Sequence, residues 1–575
     1  MQARDTSFLK FIGQEAQYFI PIYQRKYSWG IAECQRLYED VIKVARDDQR
    51  PCHFIGSVIY LAKNNGIQHA SAIQEYLVID GQQRITTLAL LLLALGYYFE
   101  KNADASSLQV RSPLSRNSLS EHYIVNSTEN GDLYYKIKLN AEDFDSYKKI
   151  VRGGLSQDEN DSVHIFENFN FFLRKMQDEN VDPQEVFNGI KKLALIDTIL
   201  APADNPQLVF ETVNSTGLAL TTPDKIRNFL LMTVPPEEQT FLYNEYWHPM
   251  EHDLGLDTGL DQRFNTFFKY YMTVVTERRT PNDYYSIFKD YYYTKKREGT
   301  EAILKHIRRY SKHYLRWENA SKESGGIDYY LYKIKSLGQH NITPAVLRVV
   351  DDVASHRISD SDAIKVFAVI ESYWARRSLC SLPTNTAVPV CISILQSLGD
   401  SENYVDAVIE KIIFGLTWPQ RMPTDAEMFT TMHTRPLYGD KFWERKLLDL
   451  LESRLSREYI HNDAFSIEHI MPQTIHETDD EKKDWISDLG EDWKRIHDTY
   501  LNTLGNLTLT GFNTEYSNYR FLVKRDMDEG YAHTPIRISA MLAHLDKWGE
   551  KEILERCDEL TKIILDIWKY PTLQS

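Results

Sequence analysis

Glu468 and His469 stand side by side in SIEHIMPQT, residues 466–474, and Asn506, Asn513 and Asn518 follow in LGNLTLTGFNTEYSN, residues 504–518. An acid, a histidine and late amides around a short apolar strand suit metal-dependent cleavage of a phosphodiester. A histidine titrates near neutral pH and can take a proton from water. Glutamate is a hard oxygen donor of the kind chosen by Mg2+ or Mn2+, which take few protein ligands and keep several waters. Asparagine carbonyls supply further oxygens. A cation held there neutralises the charge that builds on the phosphate and on the leaving 3′-oxygen. Successive side chains of a regular strand point to opposite faces. Glu468 and His469 therefore reach one phosphate only if Pro472 and the loop behind it re-aim one of them. Alone, the pair would read as chance on a loop. With HIMP, GNLTLT, the asparagine-rich loop and Lys524, it reads as one constellation.

Other segments must position these residues, and a second constellation lies far upstream. EYLVID, 75–80, predicts a strand that runs through GQQR into an apolar helix over about 84–100. Strand, glycine turn and helix present free N–H groups and a helix N-terminus to an anion. Asp80 and Arg84 could hold a metal–phosphate group between them; the plain alternative is a capping Asp and a solvated Arg. YFIPIYQRKYSW begins with a short β-like piece and places Gln24, Arg25, Tyr27 and Trp29 in the turn before a helix, AECQRLYEDVIKVARD. HFIGSVIYL predicts a buried strand and YYKIKLN an edge strand. Residues 166–200 read as mainly helical, ending in the apolar run KLALIDTIL. LVFETV, 208–213, predicts a strand, NSTG a turn, and TTPDKIRNFLLM a helix with Thr222 as cap and Pro223 at its first position. Glu211, Asn214, Gly217, Asp224 and Asn228 lie on the polar side of that unit. Residues 236–420 are helical and aromatic, without a fixed-period repeat, and read as a connecting domain. Arg376 and Arg377 there could touch phosphate; a solvated arginine pair is the plain alternative. A helix over 441–456 then leads into the EHIMP strand.

Composition bounds the rest. A chain of 575 residues needs several cores. We divide it at 1–235, 236–420 and 421–575. The net charge of −16 argues against a protein that coats DNA non-specifically, though not against one local basic groove. The 35 tyrosines fit base stacking, and more commonly buried cores. Five cysteines without a CxxC pair argue against a disulfide framework or a cysteine zinc site and point to a reducing, cytoplasmic compartment. The start MQARDTSFLKFIG has no secretory pattern, and the longest apolar run, Leu88 to Leu95, is about half a membrane span.

The motif IEHIMPQT…LGNLTLTGFN…SN..F..K resembles the HNH, or ββα-metal, nuclease domain at the C-terminus of GmrSD-type restriction enzymes. By that resemblance Glu468 is the acidic metal ligand and His469 the general base. Asn506 braces the loop, Asn513 is the last ligand with Asn518 as its alternative, and Lys524 is a helix lysine near the scissile phosphate. The subclass is the one without zinc, and Glu stands where many such sites have Asp. IPIYQRKYSW, HFIGSVIY, VIDGQQRITTL and FETVNSTGLALTTPDKIRN resemble the DGQQR-motif domain of the same group, related to the ParB and sulfiredoxin fold. The resemblance implies a domain that binds and hydrolyses a nucleoside triphosphate and helps sense modified DNA. Asp80, Gly81, Gln82, Gln83 and Arg84 are then the nucleotide-site candidates, with Arg25, Glu211 and Asn214 beside them. No GxxxxGK[ST] occurs, so the nucleotide is not held by a Walker-type loop. The expected architecture is α+β: a ParB/sulfiredoxin-like domain, a helical middle and a ββα-metal domain among helices. The expected function is nucleotide-regulated cutting or nicking of modified phage DNA, such as glucosylated hydroxymethylcytosine or phosphorothioate DNA. A double-strand cut from one such site would favour a homodimer. A non-catalytic sensor or scaffold that binds nucleotide and DNA is the second reading, and a toxin-like ribonuclease the third.

Overall fold

The computed structural model describes residues 1–63, 73–102, 112–158, 161–201, 203–213, 220–255, 261–399, 403–456 and 464–573. They form two compact units, one of residues 1–265 and 283–308, the other of residues 266–282 and 309–575. The helices of 236–420 are divided between them. The architecture is α+β.

Unit 1 is built on six strands: β1 (Gln2–Ser7), β2 (Ala16–Phe19), β3 (His53–Ala62), β4 (Gln74–Asp80), β5 (Ile137–Lys138) and β6 (Leu193–Leu200). They form one mixed sheet in the order β1-β6-β3-β4-β2-β5. The sheet is antiparallel at β1/β6 and β3/β4 and parallel at β3/β6, β2/β4 and β2/β5. YYKIKLN thus supplies a short edge strand, as predicted. KLALIDTIL is not the end of a helical region: it supplies β6, enclosed between β1 and β3, where its backbone groups pair on both sides. The helix Gln82–Asn102 buries Leu88 to Leu95 in a core shared with Phe8, Tyr38, Phe169 and Ile190. That explains the apolar run without a membrane, and no described helix is long and apolar enough to cross one.

LVFETV is helical too, as part of Pro206–Val213, and not the expected strand. Its β-branched and aromatic composition suits a strand, but Val209, Phe210 and Val213 share one helical face. They pack with Ile59, Ile79 and Leu200, in a second, smaller cluster of unit 1. The next helix is Thr222–Met232, and its cap is Thr221, one residue before the one expected. Thr221 Oγ1 accepts from the Asp224 N–H at 3.3 Å, while the Asp224 carboxylate accepts from Thr221. This reciprocal box leaves Thr222 and Pro223 as the first two helical residues.

Unit 2 is helical around one antiparallel ribbon, β7 (Ser466–His469) with β8 (Leu507–Thr510), pairing Glu468 with Thr508 and His469 with Leu507. The predicted helix before β7 is Glu444–Leu455, and short helices Asn513–Tyr516 and Phe521–Asp526 follow β8. Arg376 and Arg377 neither reach phosphate nor meet water, being 0% and 1% exposed. Arg376 Nε donates to the Trp568 carbonyl at 2.7 Å, and Arg377 donates to the carbonyls of Pro419, Arg421 and Pro383. Both are internal staples.

The helix Glu550–Ile567 fixes the approach to β8. Its Arg556 is buried and donates to the carbonyls of Leu504, Gly505 and Leu507. Burial pushes this guanidinium down to about 10. The helix backbone lies so close to Gly505 that a Cβ there would overlap the Ile553 carbonyl oxygen. Gly505→Ala is therefore expected to destabilise the protein by about 2 kcal/mol. Urea denaturation measures it, and an unchanged midpoint would contradict this packing.

Candidate functional site

β7 answers the question its sequence raises. Glu468 and His469 do diverge: Glu468 turns into the interior and His469 toward the other side of the ribbon. The Glu468 carboxylate is 4% exposed and its Oε1 lies 2.5 Å from the ammonium of Lys524, itself 0% exposed. That ammonium also donates to the carbonyls of His469 and Ile470, each at 3.1 Å. Burial raises the Glu468 carboxyl despite Lys524, and burial lowers the Lys524 ammonium despite Glu468. Lys524 is placed to hold the β7 exit and its acid.

Asn506 is fully buried and every polar atom of its side chain is engaged. Oδ1 accepts from the Met471 N–H at 2.8 Å and the Trp548 indole at 3.2 Å; Nδ2 donates to the Met471 and Leu501 carbonyls, both at 2.9 Å. It clamps the turn after His469. Asn513 is exposed and donates to the Ile467 carbonyl at 3.3 Å, which brings its amide beside β7. Asn518 is held by its main chain, its carbonyl accepting from Trp485 Nε1 at 3.2 Å.

His469 sits under partners that the sequence reading missed. Its Nε2 lies 3.1 Å from Asn502 Oδ1 and its Nδ1 3.3 Å from Gln473 Nε2. The Tyr438 ring meets it edge-on at 4.5 Å. Burial lowers the His469 imidazole. His497 is nearby, bonded to the Pro472 carbonyl at 3.0 Å. Only Gln473 carried a signal, as the polar residue four positions beyond the histidine; Asn502 and Tyr438 reach it through the fold.

The donor chemistry around β7 fits a hard divalent cation in type, since Glu468, Asn513 and Asn518 all offer oxygen. The Lys524 ammonium competes for the one carboxylate.

In unit 1 the DGQQR residues are drawn together, but mostly as internal clamps. Asp80 closes β4, and Gly81 takes φ +97°, where a Cβ would come within 3.0 Å of the Ser57 carbonyl oxygen. Gln83 Oε1 accepts from the Ser28 N–H at 2.9 Å and its Nε2 donates to the Lys26 carbonyl. Arg84 donates to the Ser57 and Ile55 carbonyls and pairs with Asp80 at 3.7 Å. Its Nη1 is thus spent on main-chain carbonyls, while the side chain keeps a quarter of its surface exposed. Arg25, Gln82 and Gln83 line a cavity of about 10 Å³, room for one water molecule, with Tyr27, Thr86 and Asp143. Arg25 is held by no hydrogen bond among the described residues, and burial lowers its guanidinium. Glu211 stands apart from these residues: its carboxylate accepts from Tyr285, Gln207 and Lys289. Asn214 lies outside the described residues.

Two family matches bear on both constellations. The GmrSD restriction endonuclease N-terminal domain matches residues 8–231, and the C-terminal domain of the same enzymes matches residues 424–563. The chain belongs to the GmrSD restriction endonucleases. The N-terminal GmrSD match contains the whole DGQQR cluster, the C-terminal one contains Glu468 to Lys524, and neither covers 232–423. A comparison with curated proteins gave no match.

Removing one member of a buried ion pair leaves the other uncompensated. Lys524→Met is expected to destabilise unit 2 by about 3 kcal/mol or more, and adding Glu468→Gln to recover part of the loss. Strictly additive effects in a thermal-denaturation cycle would mean that the pair is not coupled.

Proposed function

We propose that this restriction endonuclease cuts or nicks modified foreign DNA at the β7–β8 ribbon, with His469 as general base and a nucleotide at the DGQQR domain regulating it. The observation that carries the reading is the imidazole of His469, held by Asn502 and Gln473 at the end of a strand whose turn is braced by Asn506. The reading makes the ribbon and its following helices a ββα-metal site. In the reaction a water gives a proton to His469 and its oxygen bonds to phosphorus. The bond from phosphorus to the 3′-oxygen breaks, and that oxygen takes a proton from solvent. Glu468 with Asn513, or Asn518 in its place, would hold Mg2+ or Mn2+, which supplies charge neutralisation at the phosphate when bound. Asn506 keeps the imidazole in place by fixing the turn behind it. Lys524 holds Glu468 and the β7 exit from inside.

The nucleotide part of the reading rests on the anion-seeking groups of unit 1. Arg25 makes no hydrogen bond among the described residues, and Gln82 opens the helix Gln82–Asn102. The 10 Å³ space between them is too small for a triphosphate, so the nucleotide engages these groups from outside that cavity. Asp80, Gly81, Gln83 and Arg84 shape the strand–helix turn that presents them. The ParB/sulfiredoxin-like relationship and triphosphate hydrolysis belong to the same proposal.

Supercoiled modified and plain phage DNA, incubated with the purified protein, Mg2+ or Mn2+ and a nucleoside triphosphate, tests both parts. His469→Ala is expected to lower the nicking rate by about 100-fold or more. Undiminished nicking would remove His469 from the chemistry. Cleavage of RNA in preference to DNA would favour the ribonuclease reading, and binding without cleavage the sensor. A nick rather than a double-strand break is expected from a monomer, and light scattering of the active species decides between monomer and dimer.

Arg25→Ala is expected to weaken nucleotide binding by about tenfold, the loss of one charge-assisted contact. Equilibrium binding of a labelled triphosphate measures it, and unchanged affinity would move the nucleotide site away from Arg25.

A further inference from the structure

We propose that Asn502 is the positioning residue of His469, selecting the tautomer that leaves Nδ1 as the nitrogen facing the reacting water. The inference rests on the proposed role of His469, and its test separates the two.

A neutral imidazole carries one N–H and one lone pair, and its neighbours decide which nitrogen has which. Asn502 Oδ1 can only accept, so His469 Nε2, 3.1 Å away, carries the hydrogen. The Gln473 amide nitrogen can only donate, and it lies 3.3 Å from Nδ1. The two contacts therefore select the same tautomer. They differ in how firmly they are held. The Asn502 main-chain carbonyl accepts from the N–H groups of Leu437 and Tyr438, at 2.7 and 3.2 Å, which fixes the residue between the helix Trp493–Tyr500 and the turn leading to β8. Gln473 is exposed and makes the longer contact. Water or a phosphate can displace Gln473 from Nδ1 while Asn502 still holds Nε2. In the reaction the water proton then goes to Nδ1, the water oxygen bonds to phosphorus, the bond to the 3′-oxygen breaks, and the leaving oxygen is protonated by solvent. The imidazolium formed keeps its Nε2–H bond to Asn502, so the ring does not turn as it charges.

The test uses the full chain with two substitutions. Asn502→Leu removes the acceptor while keeping a side chain branched at the same carbon, and Asn502→Asp keeps the acceptor. Main-chain bonds of residue 502 are retained in both. Asn502→Leu is expected to lower kcat for nicking supercoiled DNA by at least about tenfold with KM unchanged, and Asn502→Asp to stay within about threefold of the wild type. Equal losses in the two variants, or no loss in the leucine variant, would overturn the proposal. Nitrogen NMR of the chain labelled on histidine, with the His469 signal identified by its loss in His469→Gln, reads the tautomer without any cleavage. An Nε2–H form in the wild type that is lost in Asn502→Leu is expected; an Nδ1–H form in the wild type would overturn the proposal. If no DNA is cut under any condition, the catalytic reading of His469 fails while the NMR result still decides the role of Asn502.

Discussion

A lysine ammonium with no exposure to water has to find its partners in the protein, and Lys524 finds three on one strand end: the Glu468 carboxylate and the carbonyls of His469 and Ile470. The rest of the ribbon's arrangement follows from this demand. Three acceptors within reach of one Nζ fix the direction in which β7 leaves the sheet, and the leaving chain meets Asn506, which bonds both polar atoms of the Met471 main chain. Between these two fixed points the His469 backbone has little freedom. Desolvation sets a high cost on an unmatched ammonium or an unmet peptide group, so the same terms that secure the fold also hold the histidine that carries the proposed chemistry.

This arrangement gives the two adjacent residues different surroundings. The strand does not bend to aim Glu468 and His469 together. It sends one to the side where Lys524 matches its charge and the other, also buried, to the opposite side, where Asn502, Gln473 and Tyr438 surround it. Any cation bound by Glu468 has to share the carboxylate with Lys524, which couples metal affinity to the packing of the helix Phe521–Asp526.

The sequence was most legible where one residue type is irreplaceable. Gly81 at φ +97°, between a β-branched strand and an apolar helix, marks its turn without any knowledge of the fold. The strand read at EHIMP is likewise there, as β7. Composition misled at LVFETV, because the residues that suit a strand also make a good helical face of Val209, Phe210 and Val213 once a sheet surface is there to receive them. Capping failed by one residue because Thr221 and Thr222 are chemically equal and only the position of Asp224 distinguishes them. Charged motifs were the least legible. Arg84, Arg376 and Arg377 look like phosphate ligands in one dimension, yet each is turned onto main-chain carbonyls that only the folded chain brings near. Asn502 has no local signature at all, since its relation to His469 exists only through the pairing of β7 with β8.

The internal use of cations also changes what the net charge means. The chain has 66 Lys and Arg against 82 Asp and Glu. Arg377 and Arg556 are buried on carbonyls and Lys524 on β7, so their charge contributes nothing at the surface that a polyanion would meet. Among the described residues Asp143, Asp197, Glu251, Asp351, Asp352, Glu371, Glu452, Glu468 and Glu552 are buried as well, so burial takes more acids than bases from a surface that stays acidic. Diffuse attraction to a phosphate backbone, which grows with the number of cations brought near it, is weak for such a surface. A nuclease of this composition must bind DNA through a few groups at a defined place.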